Sequence, residues 1–106
     1  MNAEIIRGFT DAIILNILKE NDSYGYQISR TIIEKTDNLM DIKDATIYLA
    51  FKRMTKEGFI QSYWSEQVDT PRRKYYKITK KGQEYLKLKK EEWLINRNIL
   101  NTLLGD

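Results

Sequence analysis

The chain has 106 residues, the length of one compact domain, so we do not expect a second independent core. It contains neither cysteine nor histidine, which excludes disulfide frameworks, thiolate metal sites, cysteine nucleophiles and Ser-His triads. The formal net charge is +3, and no apolar run approaches the ~20 residues that a membrane span requires. We therefore expect a soluble, unexported protein of the reducing cytoplasm that is not an enzyme and has no metal, cofactor or membrane partner.

Two amphipathic helices are predicted in the first third of the chain. Apolar residues recur at every fourth position from Phe9 to Ile17, which predicts a helix over residues 8–20. The hydroxyl of Ser23 can cap a second helix that ends near Lys35, because a side-chain oxygen there can accept from a free backbone N–H. The apolar face of this second helix consists of Tyr24, Ile28 and Ile32.

A loop and a third helix follow. In residues 36–43 the alternation of Met40, Asp41 and Ile42 is enough for a very short strand. The third helix is predicted over residues 44–57, because one apolar stripe runs along it and Gly58 offers a left-handed stop. The stripe consists of Ile47, Ala50, Phe51 and Met54. The opposite face would place a tyrosine and a leucine in solvent among lysines, so a partner should cover its members Ala45, Tyr48, Leu49, Lys52 and Lys56.

The second half of the chain predicts a β-hairpin and a long helix. Residues 59–64 and 73–79 are rich in aromatic and β-branched side chains, and the polar segment 65–71 between them contains the only proline. Residues 72–81 carry six basic side chains and no acidic one, and this excess exceeds the net charge of the whole chain. Thr79 can cap the last helix, which would extend to about residue 104 and measure ~37 Å.

This last helix is too long for the domain to cover. A chain of this size has a radius of gyration of only ~13 Å, so the helix should project beyond its own domain. The projecting part is apolar, which implies a second copy related by a two-fold axis. The predicted dimer interface consists of Trp93, Leu94, Ile95, Ile99, Leu100 and Leu103.

The order of elements is that of a winged helix-turn-helix protein, a mainly α (α+β) fold. We assign residues 1–79 to a DNA-binding domain and residues 80–106 to a dimerisation helix. In this architecture the third helix enters the major groove and the hairpin, or wing, lies along the backbone. The predicted DNA contacts are Ala45, Thr46, Tyr48, Leu49, Lys52, Arg72, Arg73 and Lys74. The alternatives are a solvated basic surface whose side chains cover neighbouring tyrosines, and, for Arg53, either an intramolecular ion pair or DNA.

Five segments in order carry a resemblance to a known family. They are Tyr24–Ile28, the helix Ala45–Met54 that ends at Gly58, Tyr63–Trp64, Arg73–Thr79 followed by Gly82, and Trp93. Together they resemble the PadR family of repressors, in particular the short-chain branch that includes a lactococcal multidrug-responsive repressor. The resemblance implies a homodimer that binds double-stranded operator DNA, represses a neighbouring gene and releases DNA when a small molecule binds.

The resemblance also implies a ligand site at the dimer centre. In the multidrug member a tryptophan from each subunit sandwiches flat aromatic compounds, and Trp93 occupies the matching place, with Asp11 and Ala12 on the first helix beside it. Arg97 stands where that relative has an acidic residue, which counts against cationic ligands. Three alternatives stay open: Trp93 only packs the interface, the interface is closed to ligands, or the fold is a protein-interaction module that does not bind DNA.

Overall fold

The computed structural model describes residues 3–66 and 71–105, with side chains from residue 8 onward. Its elements follow in the order α1 (Ala3–Glu20), α2 (Gly25–Lys35), α3 (Asp44–Lys56), β1 (Ile60–Trp64), β2 (Lys74–Ile78) and α4 (Lys80–Leu104). This order confirms the predicted winged helix-turn-helix fold. Residues 67–70 of the predicted hairpin connection lie outside the described ranges. Within those ranges, no helix is both long and apolar enough to cross a membrane.

The core lies between the three N-terminal helices and the sheet. The predicted stripe of α3 is buried throughout, and Phe51 at its centre stacks on Tyr76 of β2 with 3.8 Å between ring centroids and 19° between planes. Leu86 of α4 is buried in the same cluster. The hairpin is antiparallel, with Ile60 opposite Ile78 at its base and Trp64 opposite Lys74 at its far end. Burial of the α3 stripe fixes which side of that helix faces outward.

Two sequence signals set the ends of α3 and α4 as predicted. Gly58, which follows the C-cap residue Glu57 of α3, has a φ of 80°, a conformation that L side chains rarely adopt. Thr79 caps α4, since its Oγ1 accepts from the Gly82 N–H at 3.0 Å and donates to the Gly58 carbonyl at 2.6 Å. At Gly82 an added Cβ would lie 2.1 Å from the Phe59 carbonyl oxygen, so only glycine allows α4 to start this close to the hairpin.

The predicted cap at Ser23 is wrong. The N-cap of α2 is Tyr24, and no side chain caps it. Ser23 is buried and extends the sheet instead: its N–H donates to the Tyr76 carbonyl at 3.1 Å, and its carbonyl accepts from the Tyr76 N–H at 2.8 Å. Its hydroxyl donates to the Gln27 side chain at 2.7 Å. Backbone pairing with β2 therefore decided the role of this residue, which local helix signals alone could not reveal.

Two further predictions about local structure are corrected. The first helix begins at Ala3 rather than at residue 8, because the residues before the apolar repeat are themselves compatible with a helix. The short strand predicted around Asp41 is absent. Met40 and Ile42 are buried and Asp41 is exposed, as the alternation required, but the Met40 N–H donates to the Thr36 hydroxyl at 3.1 Å instead of to a neighbouring strand.

The last helix projects from the domain as predicted. The described chain measures 56 × 30 × 21 Å along its principal axes, and its Cα radius of gyration of 15.2 Å exceeds the ~13 Å of a compact chain of this length. Every residue from Glu91 to Gly105 is exposed. The first turns of α4, with Gly82 and Leu86 buried, pack on the domain, and farther along the helix Trp93 and Leu94 still border grooves that α1 helps to form.

Candidate nucleic-acid interface

The outer face of α3 carries large side chains that the domain leaves uncovered. Tyr48 is 56% exposed and Leu49 is 64% exposed, and both stand on the side opposite the buried stripe. The other three residues predicted to contact DNA from this helix, Ala45, Thr46 and Lys52, are exposed too. The structure thus brings all five to one accessible helix surface, with Thr46 at its edge.

The position of Tyr48 depends on a glycine in another helix. An added Cβ at Gly25, the first residue of α2, would lie 3.0 Å from the Tyr48 hydroxyl oxygen and 3.1 Å from its Cζ. The tyrosine ring also meets Phe51 edge to face, with 6.0 Å between centroids. No described group in residues 8–66 or 71–105 hydrogen-bonds to the Tyr48 hydroxyl, which leaves it available as a donor beside the start of α2.

Strand geometry divides the predicted basic contacts between two faces of the hairpin. Side chains alternate along a strand, and paired residues of the two strands point to the same side, so one face of the hairpin carries residues 60, 62, 64, 74, 76 and 78. We call this the inner face, because it carries the core residue Tyr76. Lys74 lies on this face, and Arg72 reaches it at the far end, with its guanidinium carbon 5.4 Å from the centre of the Trp64 ring. Arg73 lies on the opposite, outer face.

The outer face of the hairpin is packed against the start of α2. The guanidinium carbon of Arg73 lies 4.5 Å from the centre of the Tyr24 ring, and Tyr24 meets Tyr75 edge to face at 5.2 Å. Tyr63 stacks on Tyr75 with 5.8 Å between centroids. The alternative that basic side chains cover neighbouring tyrosines therefore holds for Arg73, although its side chain stays exposed and its N–H groups can still donate to a phosphate.

A hydrogen bond joins the hairpin to the turn between α1 and α2. The Tyr63 hydroxyl donates to Asp22 Oδ2 at 2.6 Å, and this bond raises the pKa of Tyr63 from its ordinary value of 10.0 to about 12. Burial and the negative charge of Asp22 act in the same direction. Sequence reasoning missed this pair, because the two residues are 41 positions apart and no local pattern connects them.

An ion pair joins α3 to α1. Arg53 binds both carboxylate oxygens of Asp11, with its Nε 3.2 Å from Oδ2 and its Nη2 in contact with Oδ1. This bond is the main reason that the pKa of Arg53 is raised. Of the two roles left open for Arg53, the structure supports the intramolecular pair. The same pair occupies Asp11, which the sequence had suggested as a ligand-binding residue.

The predicted ligand residues lie in two neighbouring depressions. A groove of about 310 Å³ between α1 and α4 is lined by Phe9, Ala12, Ile13, Asn16, Leu86, Lys89, Lys90 and Trp93. Asp11 instead lines a more polar depression with Arg53 and Tyr85. The structure therefore brings Ala12 and Trp93 together but leaves Asp11 aside. The guanidinium carbon of Arg97 lies 5.0 Å from the centre of the Trp93 ring, so a cation of the chain itself already occupies one ring face.

The six predicted interface residues on α4 are all between 43% and 72% exposed. At 100° per residue, five of them fall within about half of the helix circumference. These five are Trp93, Ile95, Ile99, Leu100 and Leu103. Leu94 points away from them and lines a separate groove with Lys19 and Leu86. The uncovered apolar face is thus broader than the narrow seam of a two-stranded coiled coil.

This combination of helices, hairpin and projecting helix matches one family of proteins. Residues 14–88 match the sequence profile of the Transcriptional regulator PadR-like family. The chain belongs to this family. Its structure is similar to that of a transcriptional regulator from Clostridium thermocellum, with 46% sequence identity and a TM-score of 0.91 over 98% of both chains.

A second relative has a described function. The negative transcriptional regulator PadR of Bacillus subtilis is 30% identical over 93 residues, which are 88% of this chain and 49% of that protein. A crystal structure of Bacillus subtilis PadR in complex with operator DNA has 29% identity and a TM-score of 0.66, over 81% of this chain and 47% of that one. The comparisons confirm the resemblance to the family, whose members are transcriptional regulators rather than enzymes. The finer resemblance to the lactococcal branch stays a prediction.

Proposed function

We propose that this PadR-like chain is a cytoplasmic transcriptional repressor that binds operator DNA as a homodimer. One observation carries the proposal: α3 exposes Tyr48 and Leu49 beside Lys52, and the hairpin that carries the basic run packs against that helix, with Tyr76 of β2 stacked on Phe51. A tyrosine and a leucine on a charged surface are poorly explained by solvation alone, but they suit a groove that offers both phosphates and apolar edges. The Bacillus subtilis relative, which is a negative transcriptional regulator with a structure in complex with operator DNA, supports the same assignment.

Each side chain of the interface has a task that follows from its chemistry. The four cations Lys52, Arg72, Arg73 and Lys74 bind phosphates and release condensed counterions, so affinity falls steeply as salt rises. The hydroxyls of Thr46 and Tyr48 donate to phosphate oxygens or to acceptors on base edges. The side chains of Ala45 and Leu49 contact thymine methyl groups.

The dimer forms through the projecting part of α4. Residues 1–79 bind DNA in this proposal and residues 80–106 join the two copies. Two-fold symmetry places the two α3 helices for successive major grooves, whose centres are separated by ~34 Å on one side of the duplex. The apolar side chains of α4 that the domain leaves exposed support this pairing, since a soluble monomer rarely exposes a continuous apolar surface of that length.

A planar aromatic ligand at Trp93 is a second part of the proposal, as in the lactococcal branch. The groove beside Trp93 is lined by apolar residues that include Ala12, and Lys89 and Lys90 also line it. Arg97 over the indole and the pairing of Asp11 with Arg53 disfavour a cationic ligand and favour a neutral or anionic one.

DNA binding and dimerisation are tested together. Sedimentation of the purified chain at micromolar concentration should give a dimer, and the anisotropy of a labelled operator-region duplex should rise on titration with protein at low salt. Replacing Arg72 and Lys74 with alanine should reduce the slope of log affinity against log salt by about 0.9 for each phosphate that is no longer neutralised. Lys87→Ala, which removes an exposed cation of α4, is the control and should leave the slope unchanged. A monomer in sedimentation would contradict the proposal. A dimer that does not bind the duplex would also contradict it and would indicate a protein-interaction module.

Ligand binding is tested with two dyes of opposite charge. Anthracenecarboxylate should quench tryptophan emission of the wild-type protein and of Trp64→Phe, and it should lose that effect in Trp93→Phe. A cationic acridine dye should bind more weakly, and Arg97→Ala should reduce the difference between the two. Absence of quenching by either dye would indicate the closed, ligand-free interface.

A further inference from the structure

A row of aromatic rings leads from the exposed face of α3 onto the wing. Tyr48 meets Phe51 edge to face at 6.0 Å, and Phe51 stacks on Tyr76 at 3.8 Å. The Nζ of Lys74 lies 5.9 Å from the centre of the Tyr76 ring, and Trp64 is the cross-strand partner of Lys74. Phe51 and Tyr76 are buried, so this row connects the exposed Tyr48 on α3 to the exposed inner-face end of the hairpin at Trp64 through the core.

Trp64 is not explained by folding. Its side chain is 51% exposed, and it does not belong to the core cluster, in contrast to Ile60 at the other end of the same strand. The hairpin does not need it for closure either. The backbone of Ser65 donates to the Arg73 carbonyl at 2.9 Å, and the Ser65 hydroxyl accepts from the Arg73 N–H at 3.0 Å, so pairing continues beyond the tryptophan.

The surroundings of Trp64 are basic. The guanidinium carbon of Arg72 lies 5.4 Å from the ring centre, within the range of a cation–π interaction, and Lys74 stands opposite. No residue of the described chain accepts a hydrogen bond from the indole N–H. A half-exposed indole, whose N–H has no acceptor in the described chain and which has two adjacent cations, fits a polyanion that also offers apolar sugar surfaces, which duplex DNA does. A hydrophobic protein partner would bury those two cations without compensation.

We propose that Trp64 is a further DNA contact of the wing, one that holds Arg72 in place and packs its own exposed edge on the duplex backbone beside the groove that α3 enters. The proposal rests on DNA binding by this chain and adds a residue that the basic run alone does not indicate. Trp64 acts in two ways: its ring restricts the Arg72 side chain, which lowers the entropy lost when the guanidinium binds phosphate, and its N–H and edge contact DNA directly.

The direct contact is tested by fluorescence, because the chain has only two tryptophans. A labelled duplex reports binding by anisotropy, and indole emission is recorded in the same titration for the wild type, Trp64→Phe and Trp93→Phe. We expect a change in emission on DNA binding in the wild type and in Trp93→Phe, and none in Trp64→Phe. If Trp93→Phe binds the duplex without a change in emission, the contact is refuted while DNA binding by the family fold stands. If no protein binds the duplex, both proposals fail.

The coupling between Trp64 and Arg72 is tested by affinity and salt slope. Trp64→Ala should weaken duplex binding by roughly threefold to tenfold, because it removes one cation–π interaction and the packing of the indole edge. It should also move the salt slope towards that of Arg72→Ala, and the double variant should lose less than the product of the two single losses. The control is Leu39→Ala, which removes an 84% exposed apolar side chain between α2 and α3, outside the hairpin. The coupling would be overturned if the affinity losses of the two single variants multiplied in the double variant and the salt slope of Trp64→Ala equalled that of the wild type.

Discussion

Replacing Gly25 with alanine separates the stability of the fold from its ability to bind DNA. The new Cβ would lie 3.0 Å from the Tyr48 hydroxyl oxygen and 3.1 Å from its Cζ, so the ring must yield by a few tenths of an ångström. Tyr48 can yield because it is 56% exposed. The fold should therefore tolerate the change, but the hydroxyl should leave the position from which we propose that it contacts DNA.

Gly25→Ala is expected to change the free energy of unfolding and the duplex affinity in opposite directions. Glycine within a helix costs roughly 0.5–1 kcal/mol relative to alanine, and Gly25 opens α2, so Gly25→Ala should leave the free energy of unfolding unchanged or raise it by up to that amount. A hydrogen bond to a charged group contributes about 1.5–3 kcal/mol. Displacing the Tyr48 hydroxyl loses part of this, so duplex affinity should fall by up to roughly tenfold.

A double-mutant cycle with Tyr48→Phe shows whether the effect passes through the hydroxyl. Urea unfolding measures stability, and anisotropy of a labelled duplex measures affinity, for Gly25→Ala, Tyr48→Phe and the double variant. Once the hydroxyl is absent, the added methyl group should cost little further affinity. Fully additive losses, or an affinity for Gly25→Ala equal to that of the wild type, would refute this role for Gly25.

Three other outcomes are expected. Thr79→Ala removes the oxygen that accepts from the Gly82 N–H, so it should lower the free energy of unfolding by ~1 kcal/mol and Tm by about 4–8 °C, with Thr79→Ser retaining most of the stability. The pKa of Tyr63 is raised because its protonated hydroxyl donates to Asp22. The stabilisation from this bond should thus be complete below pH 10.0 and lost as pH rises towards about 12, and Tyr63→Phe should abolish that part of the pH dependence in unfolding titrations. Truncation after Lys90 should yield a folded monomer with weak DNA binding, and a persistent dimer in sedimentation would contradict the role given to α4.

The features that sequence predicted well are those set by local spacing. The stripe of α3 repeats with helical period, so its buried side and its exposed side followed from the positions of Ile47 and Phe51. The cap at Thr79 and the stop at Gly58 depend on one residue each and its immediate neighbours. The length of the last helix was sufficient to predict its projection, because no domain of this size could cover it.

The features that sequence did not reveal depend on residues far apart in the chain. The pairs Tyr63–Asp22 and Arg53–Asp11 join positions 41 and 42 residues apart, and only the folded chain brings them together. Ser23 carried a valid local signal for a cap, but the vacant edge of β2 competed for its backbone. The division of the basic run between two faces could have been predicted from the sequence. Because side chains alternate along a strand, Arg73 must point away from its neighbours Arg72 and Lys74.

The backbone pairing of Ser23 with β2 bears on how this protein could release DNA. Ser23, just before α2, pairs with β2 by two backbone hydrogen bonds, and the stack of Phe51 on Tyr76 joins the sheet to α3. A shift of the wing relative to α3 would have to break these bonds or the ring stack, so we expect the two elements to move as one body. If two copies pair through α4 as proposed, a signal that releases DNA is expected to change the angle between whole subunits, so that the two α3 helices no longer match the spacing of the major grooves.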